Sequence, residues 1–353
     1  MKPLPPLAEI NRLLVVKTSS IGDVIHALPV GEALKAARPG LALGWVVRRR
    51  CADVLRGCPY IDHLYVVENK PSFGELLRLR GELRAANYQI ALDMQGLFLS
   101  GLIARMSGAP VRVGWDRNRE GNALFLTHPM VSGRASQVGI RHEVDLLYGF
   151  AEALGVHASH AEFAPQPYLA EEGRAWAETR LAELPRPRIA LNVGASRAYK
   201  RWPADRWAVV ADGLAAQGLG LVFVGDRSDA EIVKAVKGQM QAKDCLDLSG
   251  QTNLRELAAV LDACDLLASA DTGPMHIAVA VGTPVVAIFG ATDPRRHGPY
   301  GARNVVLHKP VPNAIVPGKR PTEEAGAACL AAVMPEDALA AIGARLAKSK
   351  LYA

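Results

Sequence analysis

Short apolar runs alternate along this chain with longer segments whose apolar positions recur at helical spacing. In the first half, the runs at 13–17, 43–47, 63–67, 90–93 and 111–114 read as strands, and the segments 24–37, 73–86 and 97–106 between them read as helices. A second series begins at 189–193 and continues through 221–224, 245–248, 266–269 and 285–289, with helical segments at 204–217, 229–240, 254–263 and 273–281. Runs with no polar alternation suit strands buried on both faces, so the pattern predicts an α/β protein with parallel sheets covered by helices. Two series predict two Rossmann-like, doubly wound domains facing each other across a cleft: 1–160 and 188–334. The linker is expected at 161–187, where Pro165, Pro167, Pro185 and Pro187 surround one polar helix. A last helical pattern, 335–348, lies in a tail (335–353) open to either domain, with packing back on the first as one expectation, and 310–328 reads as a loop.

The length of 353 residues agrees with two domains, and 50% hydrophobic with 22% charged residues excludes a disordered chain. Charge changes the picture more. The net +6 arises wholly between Leu41 and His142, where 14 Lys and Arg oppose 8 Asp and Glu; the rest holds 27 of each. A basic half suggests an anionic partner. Nucleic acid is not expected, because aromatics are 6% of the chain and the basic residues form no recognisable binding module. The five cysteines, Cys51, Cys58, Cys245, Cys264 and Cys329, form no C-x-x-C and read as thiols of a reducing cytosol. The first twelve residues hold no signal-like apolar stretch and no window approaches 18 apolar residues, so the expectation is a cytoplasmic protein, at most peripheral to a membrane.

In doubly wound sheets ligands sit beyond the carboxyl ends of the strands, so the loops after strands are where chemistry belongs. The first, Lys17-Thr18-Ser19-Ser20-Ile21-Gly22-Asp23, offers small hydroxyl residues, a glycine and one carboxylate in the first helical turn. Asp23 there serves either as a general base or as a helix cap. The second, Asn192 to Pro203, places Lys200 and Arg201 after a strand, as a phosphate site or as a solvated basic loop. The third runs Asp271-Thr272-Gly273-Pro274-Met275-His276, a helix N-terminus suited to phosphate, with His276 either functional or packed. Neither G-x-x-x-x-G-K nor G-x-G-x-x-G occurs, which leaves a nicotinamide-dependent oxidoreductase as a distant alternative. D-x-D, H-E-x-x-H and metal-ligand spacings are also missing, so no metal and no cofactor is expected.

At these loops the chain resembles the ADP-heptose:lipopolysaccharide heptosyltransferases of glycosyltransferase family 9. The resemblance is carried by Lys17–Asp23 with the following Val24-Ile25-His26-Ala27-Leu28-Pro29, by Asp93-Met94-Gln95-Gly96-Leu97, by Lys200-Arg201-Trp202-Pro203 and by Asp271–His276, in that order, within about Arg12 to Val306. It implies a GT-B fold and an inverting transfer of heptose from ADP-L-glycero-D-manno-heptose to a lipopolysaccharide inner core. The K-T-S-S-x-G-D wording is closest to members that add the first heptose to Kdo; the alternative is a member adding a later heptose or another sugar. Residue by residue, the resemblance makes Asp23 the base and Lys200 the group that stabilises the leaving diphosphate. It assigns Ser196, Asp271, Thr272, Gly273 and His276 to the donor, together with Asp229 at a position where the family usually has Glu and for which Glu231 is the rival. Ser19, Ser20, Gly22, Gln95, Arg119 and His142 fall to the acceptor, while the family's basic cluster after the third strand is reduced to Lys70, Arg78 and Arg80. The implied partners are ADP-heptose, Kdo-lipid A and the cytoplasmic face of the inner membrane.

Overall fold

The computed structural model describes residues 3–115, 119–130, 141–157, 169, 171–315 and 321–349. The chain divides into two compact units, Met1–Tyr168 and Leu169–Ala353.

In the first unit the strands are β1 (Arg12–Val16), β2 (Ala42–Arg48), β3 (His63–Val67), β4 (Ile90–Asp93), β5 (Val111–Trp115) and β6 (His128–Met130). Helices α1 (Ile21–Ala37), α2 (Arg49–Ala52), α3 (Phe73–Ala85), α4 (Phe98–Met106) and α5 (Glu143–Glu152) connect or cover them. The sheet runs β3-β2-β1-β4-β5-β6, every pair parallel. Leu14, Val16, Val46 and Ala91 of the central strands pack with Leu79 and Leu83 of α3 and Ile103 of α4. Burial of such large side chains stabilises by about 1.5–3 kcal/mol each. On α1 eleven of seventeen residues are buried, because α5 lies along it with Val144, Leu147, Tyr148 and Phe150 inside.

The second unit contains α6 (Glu171–Leu181), β7 (Arg188–Asn192), α7 (Ala204–Ala215), β8 (Gly220–Phe223), α8 (Ala230–Gln239), β9 (Leu246–Asp247), α9 (Leu254–Asp262) and β10 (Leu266–Ala270). It continues with α10 (Gly273–Val281), β11 (Val285–Phe289), α11 (Pro294–His297), β12 (Val305–His308), α12 (Glu323–Ala332) and α13 (Pro335–Ser349). Its sheet, β12-β11-β10-β7-β8-β9, is also wholly parallel. Counted within each unit, the two sheets have one order, and that order reverses between β1 and β4 and again between β7 and β10. Those reversal points are where a doubly wound sheet opens a crevice.

All ten expected strands and all nine expected helices lie on observed elements, including α6 and α13. Several expectations are corrected. Helix α6, read as part of a linker, is built into the second unit: Ala177 and Leu181 are buried, α6 packs on α9, and Arg174 reaches Asp262 at 3.2 Å. The tail expected on the first domain instead packs on α7 and the β10–β12 strands, with Ala338 and Ile342 inside the second unit's core. The expected loop 310–328 contains the start of α12, capped by Thr322 through its Oγ1 accepting from the Ala325 amide. The expected prolines Pro165 and Pro167 lie outside the described residues.

Candidate active site at the two reversal points

In the first unit, β1 delivers the loop Lys17–Ser20 and α1 begins at Ile21. Ser20 donates to Asp23 Oδ2 twice, from its backbone N–H at 2.9 Å and from Oγ at 2.7 Å. This is the carboxylate half of a capping box, and it fixes the Asp23 side chain while satisfying an orphan donor of the helix start. Asp23 Oδ1 lies 3.9 Å from Lys17 Nζ, and a third of the side chain (33%) is exposed. Capping and availability for chemistry, posed as alternatives by the sequence, therefore coexist on two oxygens of one group.

The loop is held from β4. Gln95 Oε1 accepts from the amides of Thr18 at 3.0 Å and Ser19 at 3.1 Å. Asp93, wholly buried at the end of β4, accepts at Oδ1 from the Gln95 and Gly96 amides. Burial pushes its carboxyl above the usual range, against the pull of those amides and of Lys17. Among the acceptor residues expected from sequence, Ser19, Ser20, Gly22 and Gln95 thus come together, with the carbonyl oxygen of Gln95 committed to the loop. His142 caps α5, its Nδ1 accepting from the Val144 amide, and its ring meets His26 edge-on at 5.2 Å. His26 stands one turn along α1 from Asp23. The Arg119 backbone opens a 3-10 turn, Arg119–Phe125, but its side chain lies outside the described residues.

In the second unit the organiser is Asn192, the last residue of β7. Its Nδ2 donates to the Val224 carbonyl at 3.1 Å, while Oδ1 accepts from Ser269 Oγ at 3.1 Å and Thr272 Oγ1 at 2.6 Å. One buried amide thereby ties β7, the end of β8 and the β10–α10 loop. Beside it Asp271, 5% exposed, pairs through Oδ2 with Lys200 Nζ at 2.7 Å and accepts from Thr292 Oγ1 at 2.7 Å. Thr272 occupies the N-cap of α10, Pro274 its first turn, and the amides of that turn present the positive end of the helix. His276 follows one turn in and is buried.

Lys200 sits in a 3-10 turn, Ala198–Lys200, pinned from below. Trp202 is buried and donates to the Leu330 and Val333 carbonyls, and Tyr199 lies so close to α12 that a Cβ on Gly326 would stand 2.5 Å from its carbonyl oxygen. Only glycine fits there, which explains a glycine inside an Ala-rich helix. Ser196 is exposed on the same loop. Asp229 turns inward: Oδ2 accepts from the Asp226 amide, burial pushes its carboxyl up, and its Oδ1 fills the space where a Cβ of Gly194 would lie. Glu231 is exposed on α8. Residues not assigned roles from the sequence are Lys17, Asp93, Asn192 and Thr292. The available signal was a polar residue closing a buried apolar run, as Asp93 does after Ile90–Leu92 and Asn192 after Ile189–Leu191.

Among the described residues no group of three or more His, Cys, Asp or Glu is placed to hold a metal, and no single helix is long and apolar enough to cross a membrane. The sequence of glycosyltransferase family 9 (heptosyltransferase) matches residues 76–322, about seven-tenths of the chain. The protein is a member of glycosyltransferase family 9. Family 9 membership makes it a glycosyltransferase and leaves the oxidoreductase alternative without support. It is 26% identical over 316 residues, 88% of each chain, to lipopolysaccharide core heptosyltransferase OpsX of Haemophilus influenzae. It is 27% identical to lipopolysaccharide heptosyltransferase 1 of Escherichia coli K12, over 86% of this chain and 95% of that one. A family 9 glycosyl transferase structure from Veillonella parvula superposes with TM-score 0.82 at 27% identity, covering 96% and 97% of the two chains. Escherichia coli heptosyltransferase WaaC with ADP-2-deoxy-2-fluoro heptose superposes at 0.66 and 26% identity, covering 85% of this chain and 93% of that one. This family 9 chain has the GT-B architecture of two Rossmann-like units.

Proposed function

We propose that this family 9 enzyme transfers heptose from ADP-L-glycero-D-manno-heptose to Kdo of the lipopolysaccharide inner core, with inversion at the anomeric carbon. The observation that carries the reading is the Asp23 carboxylate, oriented through Oδ2 by Ser20 and partly exposed at the reversal point of the first sheet. Asp23 takes the proton of the acceptor hydroxyl as that oxygen bonds to the heptose anomeric carbon and the bond from that carbon to the diphosphate oxygen breaks. The electron pair of the broken bond leaves on ADP. Lys200, held beside the α10 N-terminus by Asp271, meets the charge growing on the diphosphate, and the first-turn amides after Thr272 add their dipoles. Ser196, Gly273 and His276 line the same donor side, and the inward set of Asp229 leaves Glu231 as the more accessible carboxylate for the ribose.

On the acceptor side Ser19, Ser20, Gly22, Gln95, Arg119 and His142 belong to the unit that carries the basic excess. The same unit bears Phe73 (78% exposed), Leu77, Phe98 and Leu124 (83%), with Arg78 and Arg80 exposed on α3. Apolar and basic side chains on one unit support its meeting an anionic lipid surface, the cytoplasmic face of the inner membrane. The test is ADP release from ADP-heptose. Release that requires Kdo-lipid A and is not supported by an acceptor already carrying the first heptose is the expected result. The reverse preference would favour a family 9 enzyme adding a later sugar.

A further inference from the structure

Lys17 is only 3% exposed, and an ammonium that deep is costly unless a counter-charge stands by it. Its Nζ donates to the Met94 carbonyl at 3.3 Å and lies 3.9 Å from Asp23 Oδ1. The other carboxyl that feels its charge is Asp93. Asp93 is the poorer counter-ion, because its Oδ2 is buried without a hydrogen-bond partner and burial favours its neutral form. Among the described residues, further groups near Asp23 come from three directions. Cys51 on α2 feels the Asp23 charge, with Arg48 and Arg50 alongside. His26 is on α1 itself, and the α5 terminus packed on α1 brings His142 and the buried Glu143.

We propose that Lys17 is a positioning residue for the transfer, its buried ammonium holding Asp23 aimed and ionised so that it can accept the acceptor's proton. The proposal rests on the assignment of Asp23 as base. A carboxylate must be charged before it can take a proton, and a cation within 4 Å favours that form. Ser20 anchors one carboxylate oxygen and Lys17 faces the other, so the two contacts divide the work of orientation and charge. The acceptor proton passes to Asp23 and then to solvent across its exposed edge.

The experiment is the pH profile of kcat/KM for the full chain, comparing the parent with Lys17→Met, Lys17→Arg and Asp23→Asn, with thermal unfolding to confirm that each is folded. Loss of the cation in Lys17→Met should move the acid limb to higher pH by about one unit, whereas Lys17→Arg should leave it in place. A merely structural lysine would lower the unfolding temperature without moving the limb. An acid limb in Lys17→Met that superimposes on the parent's overturns the proposal. If Lys17→Met does not fold, Lys17→Arg decides: an unmoved limb supports the charge role and an upward shift of a unit overturns it. An Asp23→Asn enzyme of undiminished rate would overturn the base assignment itself, a failure separate from that of Lys17.

Discussion

The two units share a six-stranded parallel sheet of one strand order and differ in what stands at the point where that order reverses. At β1 and β4 the loop is short, hydroxyl-rich and pinned by the Gln95 amide, and its one carboxylate is shared between Ser20 and Lys17. At β7 and β10 the organiser is the Asn192 amide, and the charge is reversed in role: Lys200 is the partly exposed group and Asp271 the buried counter-ion. Each crevice keeps one ion of a pair inside and offers the other outward. The first offers an anion suited to taking a proton, the second a cation suited to a phosphate. One strand order thus presents opposite charges in the loops and first helical turns that follow its strands, which is where function is grafted on this architecture.

Substitutions that break the comparison should do so in a graded order. Asp23→Ala is expected to lower turnover by about 10²–10⁴-fold, the usual worth of a positioned general base, while ADP-heptose affinity measured by calorimetry stays near the parent's. Lys200→Ala should cost turnover about 10²–10³-fold, comparable to removing one donor from a charge-stabilising site, and should weaken ADP binding as well. Loss of donor affinity in the Asp23 variant, or none in the Lys200 variant, would erase the division between the units. Asn192→Leu takes the acceptor from the Thr272 hydroxyl and the donor from the buried Val224 carbonyl, while Ser269 Oγ keeps the Ala270 carbonyl at 2.7 Å, and should destabilise by about 1–3 kcal/mol in chemical denaturation. A double change, Phe73→Ser with Leu77→Ser, should reduce sedimentation with anionic phospholipid vesicles and leave turnover on a soluble, deacylated acceptor unchanged.

The smallest effects concern pH and stability. Burial of Asp62 opposes ionisation, but hydrogen bonds from Lys35 and from the Leu43 amide bring its carboxyl below the usual range. In the second unit Arg188 does the same for Glu178, against a slight burial effect. A carboxylate whose folded pKa is depressed contributes stability above its unfolded pKa and loses it as pH falls through the folded value. Asp62→Asn and Glu178→Gln should therefore each flatten the fall of the unfolding temperature on acidification, a change readable by calorimetry between neutral and acid pH.

Much of this architecture was legible because a strand buried on both faces cannot hide its apolar run. Val285–Phe289 and Leu13–Val16 announce themselves by composition alone. Two of the four edge strands did not: β6 contains Pro129 and spans three residues, and β12 is only half buried, so neither shows the same signature. Helix α12 was obscured by Gly326, a residue whose reason lies in the Tyr199 backbone far away in sequence. The site divides in the same manner. Asp23, Lys200 and Thr272 were legible from loop position and from the family resemblance, and geometry then supplied their partners. Lys17 and Asn192 found their partners across 77 or more residues, between β1 and β4 or β7 and β10, whereas Asp93 holds the amides of Gln95 and Gly96 just beyond its own strand.

The mass of the product is the most direct readout of heptose transfer. Kdo-lipid A incubated with ADP-heptose and this chain should gain the mass of one heptosyl residue and no more, with an equal amount of ADP formed. An unchanged acceptor, or a gain seen only with an acceptor that already carries heptose, would contradict transfer to Kdo.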